Sequence, residues 1–200
     1  EELGILHPHT LPGLLEHAER NILHSAEGLK TFHWGNVFHR DLPEHTELTA
    51  LLVPPRNAQT ELRTSPLLHL KGIVEECFAH IGAPLEVRTA GEPTAYTHPG
   101  RMGSIVLGNV TVGTIYEVHP TVLLAFDLPA RTAAASIDLT AILAIAAKVT
   151  VPTHLPLFPA VSYDETIEVR SAQPVGALLT HLRENHALLE NVEVVNLYQG

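Results

Sequence analysis

Two hundred residues, 45 % of them hydrophobic, can build one domain or one and a half with a real core. A formal charge of -10 and a pI near 5.7 exclude a broadly basic nucleic-acid or anionic-membrane binder, though not a local basic face. One cysteine, Cys77, rules out an intramolecular disulfide and any multi-cysteine zinc site. It falls on the apolar side of a helical pattern, so a buried thiol is expected. No apolar run approaches the roughly 20 residues that span a bilayer. The acidic opening Glu1-Glu2 is unlike a signal peptide, and a cytoplasmic location is the expectation.

In chain order, Thr10 can cap a helix starting at Leu11, with Pro12 in its first turn and Leu14, Leu15, Ala18 and Ile22 as its apolar face. Gly28 ends that segment. Leu29–Phe38 and Thr46–Val53 read as strands, the second stopping at Pro54-Pro55, and Arg56–Arg63 is polar and irregular. Ser65-Pro66 starts a helix in which Leu67, Leu70, Ile73, Val74, Cys77, Phe78 and Ile81 recur at helical spacing until Gly82. Leu85–Arg88 is a further strand.

The stretch 98–128 is the most informative. Two apolar runs, Ser104–Leu107 and Val110–Val118, flank Gly108-Asn109, a pair that favours positive φ and closes a two-residue hairpin. Pro120 follows His119 where the second strand must stop, and its fixed φ suits the first turn of a helix over Thr121–Phe126. Ala133–Leu139 is a strand and Thr140–Ala147 a short helix. Pro152, Pro156 and Pro159 within Val149–Pro159 mark a boundary, since such a run forms neither helix nor central strand. Beyond it, Thr166–Arg170 and Val192–Leu197 read as strands around a helix over Val175–Asn185. Helix and strand signals alternate without a repeated beta-alpha-beta rhythm. The predicted class is therefore α+β, an antiparallel sheet flanked by helices.

Fourteen histidines are the compositional oddity. His7 and His9, with His33, His39, His45 and Glu47, could bring imidazoles together, but no HExxH motif or helical ligand pair with an obvious third partner occurs. Dispersed surface histidines are the better reading, and His119 is expected to hold the helix-start turn rather than to catalyse. Glu117 shares a strand face with Ile115, so it reads as a buried carboxylate that requires a partner, and Arg101 is the partner expected. Arg101 otherwise serves as a subunit or RNA contact. No G-x-S-x-G elbow, P-loop or dinucleotide glycine pattern is present. Asp127 and Asp138 read as helix-boundary residues. No catalytic, cofactor-binding or metal-binding residue is predicted. Gly100, Arg101, Gly108, Glu117, His119 and Pro120 remain as structural-signature or interface positions.

These residues carry a resemblance. His98-Pro99-Gly100-Arg101, Gly108, Gly113 to Glu117, His119-Pro120 and Phe126-Asp127-Leu128 resemble the HPGR…G…G-x-x-G-E-x-HP…F-D-L pattern of bacterial phenylalanyl-tRNA synthetase beta subunits. Leu11-Pro12-Gly13-Leu14-Leu15 with Arg20-Asn21 is similar to the family's L-P-G-L-L…R-N helix. Phe32-His33-Trp34-Gly35-Asn36-Val37-Phe38 is similar to its F-E-x-G-x-V-F strand, and Lys71-Gly72-Ile73-Val74-Glu75 to its K-G-x-V-E helix. Phe158-Pro159-Ala160-Val161 with Asp164 looks like the entry to the anticodon-binding domain, and Leu189–Glu193 with Leu197–Gly200 like its second strand. His7 stands in place of the usual arginine, His33 in place of the usual glutamate, and Ser162-Tyr163 in place of a basic pair.

The resemblance implies a class II synthetase-like module over residues 1–148 that lacks catalytic groups, a Pro-rich linker over 149–157, and the first half of a ferredoxin-like β-α-β anticodon-binding domain over 158–200. The chain then looks like a fragment. In the family, ATP and phenylalanine are handled by the alpha subunit, and two alpha and two beta chains, with magnesium, charge tRNA(Phe). The implied partners are the alpha subunit and tRNA(Phe), with no membrane and no cofactor held by this segment. Exposed apolar surface and a tendency to associate are expected. A free-standing paralogous binding module and a histidine-dependent metalloenzyme are the alternatives.

Overall fold

The structure, a computed structural model, describes residues 6–40, 42–56, 65–89, 92–145, 158–169, 173–186, 188–196 and 198. The chain divides into two units, Glu1–Thr150 and Val151–Gly200. The first is built on helix α1 (Leu11–Asn21), strands β1 (Leu29–His39) and β2 (Leu42–Val53), helix α2 (Pro66–His80), and strands β3 (Glu86–Arg88), β4 (Thr97–Leu107) and β5 (Val110–Val118). Helix α3 (Pro120–Ala125), strand β6 (Ala133–Asp138) and helix α4 (Leu139–Ile145) complete it. All six strands form one antiparallel sheet in the order β1-β2-β6-β5-β4-β3.

Strand alternation sends successive side chains to opposite faces, and here both faces are covered. On one, Leu70, Val74 and Phe78 of α2 and Ile142 of α4 pack on Leu52, Ile105, Ile115, Ala133, Ala135 and Ile137. On the other, Leu11, Leu14, Leu15 and Ala18 of α1 and Leu123 of α3 pack on Leu51, Val53, Tyr116, Val118 and Ala134. Three alanines in succession on β6 keep both faces of the central strand low, so helices can approach from each side.

The hairpin forms as expected, with Leu107 opposite Val110 and positive φ at Gly108 alone, the arrangement of a turn that needs φ > 0 at its first central residue. β4 is longer than the sequence indicated: it begins at Thr97, and His98-Pro99-Gly100-Arg101 is absorbed as an irregularity between the Thr97 and Met102 pairings. A bulge is where a strand tolerates a proline, which has no N–H for the ladder. Gly113 is fixed by close approach, because a Cβ there would run into the Ser136 carbonyl oxygen and stand 3.0 Å from the Ile137 Cα.

Some expectations are corrected. Thr10 precedes α1 but makes no side-chain cap; its N–H and hydroxyl both turn to Glu47. Cys77 is exposed rather than buried. α2 touches the sheet along Pro66, Leu70, Val74 and Phe78, an i, i+4 row. Ile73 and Cys77 lie on the flank of that row, and Ile81 lies beyond the last helical residue, so all three face outward.

In the second unit, α5 (Val175–Asn185) matches the predicted helix. The predicted strands around it do not form among the described residues 166–169 and 192–196. An extended segment becomes a strand only when a neighbour accepts and donates its backbone hydrogen bonds, and no such pairing involves these residues. No described residue of this unit is buried. A lone β-α-β piece buries too little apolar area to build a core. The Pro-rich boundary falls mostly outside the described residues.

Candidate functional site

Glu117 is the most buried charged residue among the described ones, 2 % exposed, on the face that β5 shares with α2. Its two oxygens are divided between two arginines. Arg101 Nη1 donates to Oε2 at 2.9 Å, and Arg131 donates to Oε1 through Nε and Nη2, each at 3.3 Å. Arg131 Nη2 also donates to Ser65 Oγ at 2.9 Å. One carboxylate thus ties β4, β5, the turn before β6 and the start of α2. Both guanidinium groups are about half exposed, so the carboxylate is desolvated and its partners are not. Arg101 was foreseen. Arg131 was missed, because it reaches Glu117 through the β5–β6 pairing of Glu117 with Ala133, a non-local register. It also adopts φ +67 without being glycine, which no residue pattern announces.

On the opposite face runs a row of hydroxyls. Thr10 N–H and Oγ1 both donate to Glu47 Oε1, at 2.8 and 2.9 Å, and Thr10 Oγ1 lies 2.7 Å from Thr49 Oγ1. Thr49 Oγ1 meets Ser136 Oγ at 3.2 Å, and Ser136 Oγ meets the Tyr116 hydroxyl at 3.2 Å. Tyr116 and Thr49 are fully buried. Burial pushes the Tyr116 phenol far above its ordinary range, so it stays protonated at any physiological pH. Tyr96 packs on Tyr116 at 5.7 Å, and His9 packs on Tyr96 at 5.0 Å. Burial also holds His9 below the usual imidazole range, against the pull of Glu47.

This row is hydrogen-bonded to itself. Ser136 Oγ contacts two hydroxyls and no base, so it lacks the activated-nucleophile arrangement. Two cavities among the described residues lie away from the row. One, of about 80 Å³, lies between α2 and β3–β4 beside Leu68, Val87 and Gly103. The other, of about 240 Å³, is walled by Pro54, Pro55, Pro66 and Pro129 with Arg56 and Arg131.

His119 behaves as expected at the start of α3: its Nδ1 accepts from Thr121 N–H at 3.2 Å while its carbonyl accepts from Val122 and Leu123. Pro120 is the first residue of that helix. Gly100 sits in the irregular part of β4, its N–H on His98 Nδ1 at 3.1 Å. Gly100, Arg101, Glu117, His119 and Pro120 therefore gather at one end of the β4–β5 hairpin, while Gly108 lies at the other. Asp138 accepts from Ala141 N–H at the start of α4, and Asp127, at φ +46, pairs with Arg56 at 2.8 Å, so both are boundary residues. Among the described residues no group of three His, Cys, Asp or Glu side chains is placed to hold a metal ion. His39 and His45 stack at 5.6 Å.

A six-stranded antiparallel sheet covered on both faces by helices is the fold of a class II synthetase core. Pyrrolysyl-tRNA synthetase from Desulfitobacterium hafniense superposes with a TM-score of 0.55 and 15 % identity, over 70 % of this chain and 49 % of that one. The chain belongs to the phenylalanyl tRNA synthetase beta chain CLM domain family, whose model matches residues 1–139. It is 32 % identical to the phenylalanine–tRNA ligase beta subunit of Moorella thermoacetica, over 100 % of this chain and 26 % of that protein. The beta subunit of Salinibacter ruber is also 32 % identical, with the same two coverages. That of Ruegeria pomeroyi is 35 % identical over 64 % of this chain. The chain thus spans about a quarter of the length of the Moorella and Salinibacter relatives.

Proposed function

We propose that this chain is a non-catalytic part of a phenylalanine–tRNA ligase beta subunit. It positions the alpha subunit's active site through subunit packing and carries the start of the tRNA-binding tail. Residues 1–148 are the synthetase-like module, 149–157 the linker, and 158–200 the opening of the anticodon-binding domain. The parent assembly of two alpha and two beta chains joins phenylalanine to tRNA(Phe) in the cytoplasm, using ATP and magnesium. Its contribution to rate is geometric, the holding of reactants in productive orientation rather than donation of a proton or nucleophile.

The observation that carries this reading is the pairing of a match to beta subunits over the whole of this chain with a row of buried hydroxyls bonded to one another on one sheet face. A substrate that took up the donors of this row would have to displace bonds already made at 2.7 to 3.2 Å. The outward side of α2, with Leu68 at 61 % and Ile73 at 36 % exposed, supplies apolar surface for a protein partner.

The test is a pull-down of the chain against the phenylalanyl-tRNA synthetase alpha subunit of the same organism, sized by light scattering, with aminoacylation assayed in parallel. Stable co-elution with no charging by this chain alone is the expected result. A folded chain that ignores the alpha subunit would favour a free-standing paralogue.

A further inference from the structure

The two edges of the sheet are unlike. β3 is three residues long and flanked by charge, the usual protection of an exposed edge. β1 is eleven residues long, and its first nine residues carry one Lys and one His as their only ionisable side chains. Phe32 and Trp34, on one face of it, are 71 % and 66 % exposed. Among the described residues its outer edge gives one backbone bond, from Phe38 N–H to the His7 carbonyl. Phe32 and Trp34 lie on the regularly paired stretch of β1, before the register irregularity between Val37 and His39. The segment from Thr10 back to His7 runs from Gly35 toward Phe38, away from Phe32.

We infer that the β1 edge pairs with the β1 edge of a second copy of this chain, antiparallel about a two-fold axis at His33. The occupant follows from self-complementarity. An antiparallel two-fold at His33 sets Phe32 opposite Trp34 of the other copy, Lys30 opposite Asn36, and Thr31 opposite Gly35. Centring on Phe32 instead sets Trp34 against Lys30, and centring on Trp34 sets Phe32 against Asn36. The His33 register alone puts aromatic against aromatic twice, with no like-charged lysines facing, the cross-strand pairing that stabilises sheets. In this register His33 faces its own copy across the axis, with Cα atoms about 4.5–5.5 Å apart.

An aromatic side chain buries about 150–250 Å², so four rings two-thirds exposed supply roughly 500 Å². With the backbone bonds this is a small interface, below the ~1,200 Å² of standard complexes, and its affinity belongs to the weak, concentration-dependent class.

The experiment uses the full chain in sedimentation velocity over roughly 1 to 500 μM (a span set by the weak interface class), with Trp34 emission as a second readout, because it is the one tryptophan. The expected result is a shift from one to two copies with concentration, with emission moving to shorter wavelength as the indole is covered. Trp34→Lys should abolish the concentration-dependent sedimentation shift while leaving the far-UV circular dichroism unchanged. In a Cys77→Ser background, which removes the exposed native thiol, His33→Cys should cross-link to a covalent dimer on mild oxidation and Lys30→Cys should not. A chain that stays single throughout, a Trp34→Lys variant that still dimerises, or equal cross-linking at both positions would each overturn the proposal. None of these outcomes depends on alpha-subunit binding, so the two readings fail separately.

Discussion

Glu117 has two arginine partners, and removing them singly or together should have unequal consequences. In Arg101→Ala the carboxylate keeps both bonds to Arg131; in Arg131→Ala it keeps the 2.9 Å bond to Arg101. Each single variant loses a half-exposed ion pair, worth about 1 kcal/mol, with a further few tenths for Arg131 through its bond to Ser65. The double variant leaves a carboxylate that is 2 % exposed with no cation, and an uncompensated buried charge costs about 3–5 kcal/mol. The double variant should therefore exceed the sum of the singles by about 1–3 kcal/mol. Urea unfolding followed by circular dichroism at 222 nm measures this as midpoint shifts at constant slope, with Ser65→Ala correcting for the Arg131 hydroxyl contact. Additivity within about 0.5 kcal/mol would refute the claim that the two arginines share one desolvated charge.

Gly113→Ala should destabilise by about 3 kcal/mol or more, since the new methyl meets backbone of β6 rather than a movable side chain; the urea midpoint reports it. His119→Ala should cost about 1 kcal/mol by uncapping α3, and His119→Asn should recover most of it in the same assay. Tyr116→Phe should cost about 1 kcal/mol through the lost bond to Ser136, with no change in the near-neutral pH profile. His9 is held below its ordinary value of 6.5 by burial, so the unfolded chain takes up a proton that the folded chain resists. Its stability contribution is full above pH 6.5 and falls as the pH drops through that value towards the depressed folded one, and His9→Gln should flatten that part of a stability-versus-pH curve.

Local interactions were legible in the sequence and non-local ones were not. Gly108-Asn109 specifies its turn with two residues, and the runs beside it are then forced into register, so the hairpin and the Arg101–Glu117 pair that it brings together could both be read. His119-Pro120 names a helix start in the same way, since a fixed φ and a side-chain acceptor need no distant partner. Thr10 shows the limit. By residue type it is a good cap, but Glu47, 37 residues on, competes for its hydroxyl and wins with a charge-assisted bond from both N–H and O–H. The hydroxyl row needed the order β2-β6-β5, which sets Thr49, Ser136 and Tyr116 side by side, and nothing in their spacing points to that. Cys77 was misplaced for a different reason: helical periodicity defines a stripe, and only the neighbouring sheet decides which flank of the stripe is covered.

The distribution of polarity between buried and exposed surface bears on what kind of work the fold can do. A ligand site needs unengaged donors and acceptors facing a space that the ligand can enter, with a few polar groups among apolar walls. The sheet face under α1 and α3 carries a hydroxyl row bonded along its own length, with Tyr96 and His9 stacked over the Tyr116 end and His9 Nδ1 buried there without a hydrogen-bond partner. Opening that face would break at least three hydrogen bonds and leave buried hydroxyls unsatisfied, a cost of about 1–3 kcal/mol for each group. The outer surfaces show the reverse. Phe32, Trp34, Leu68 and Ile81 stand in solvent, where each is better covered than hydrated. Covering those apolar side chains with another protein surface gains free energy, whereas a small molecule entering the hydroxyl row would first have to displace bonds already made there.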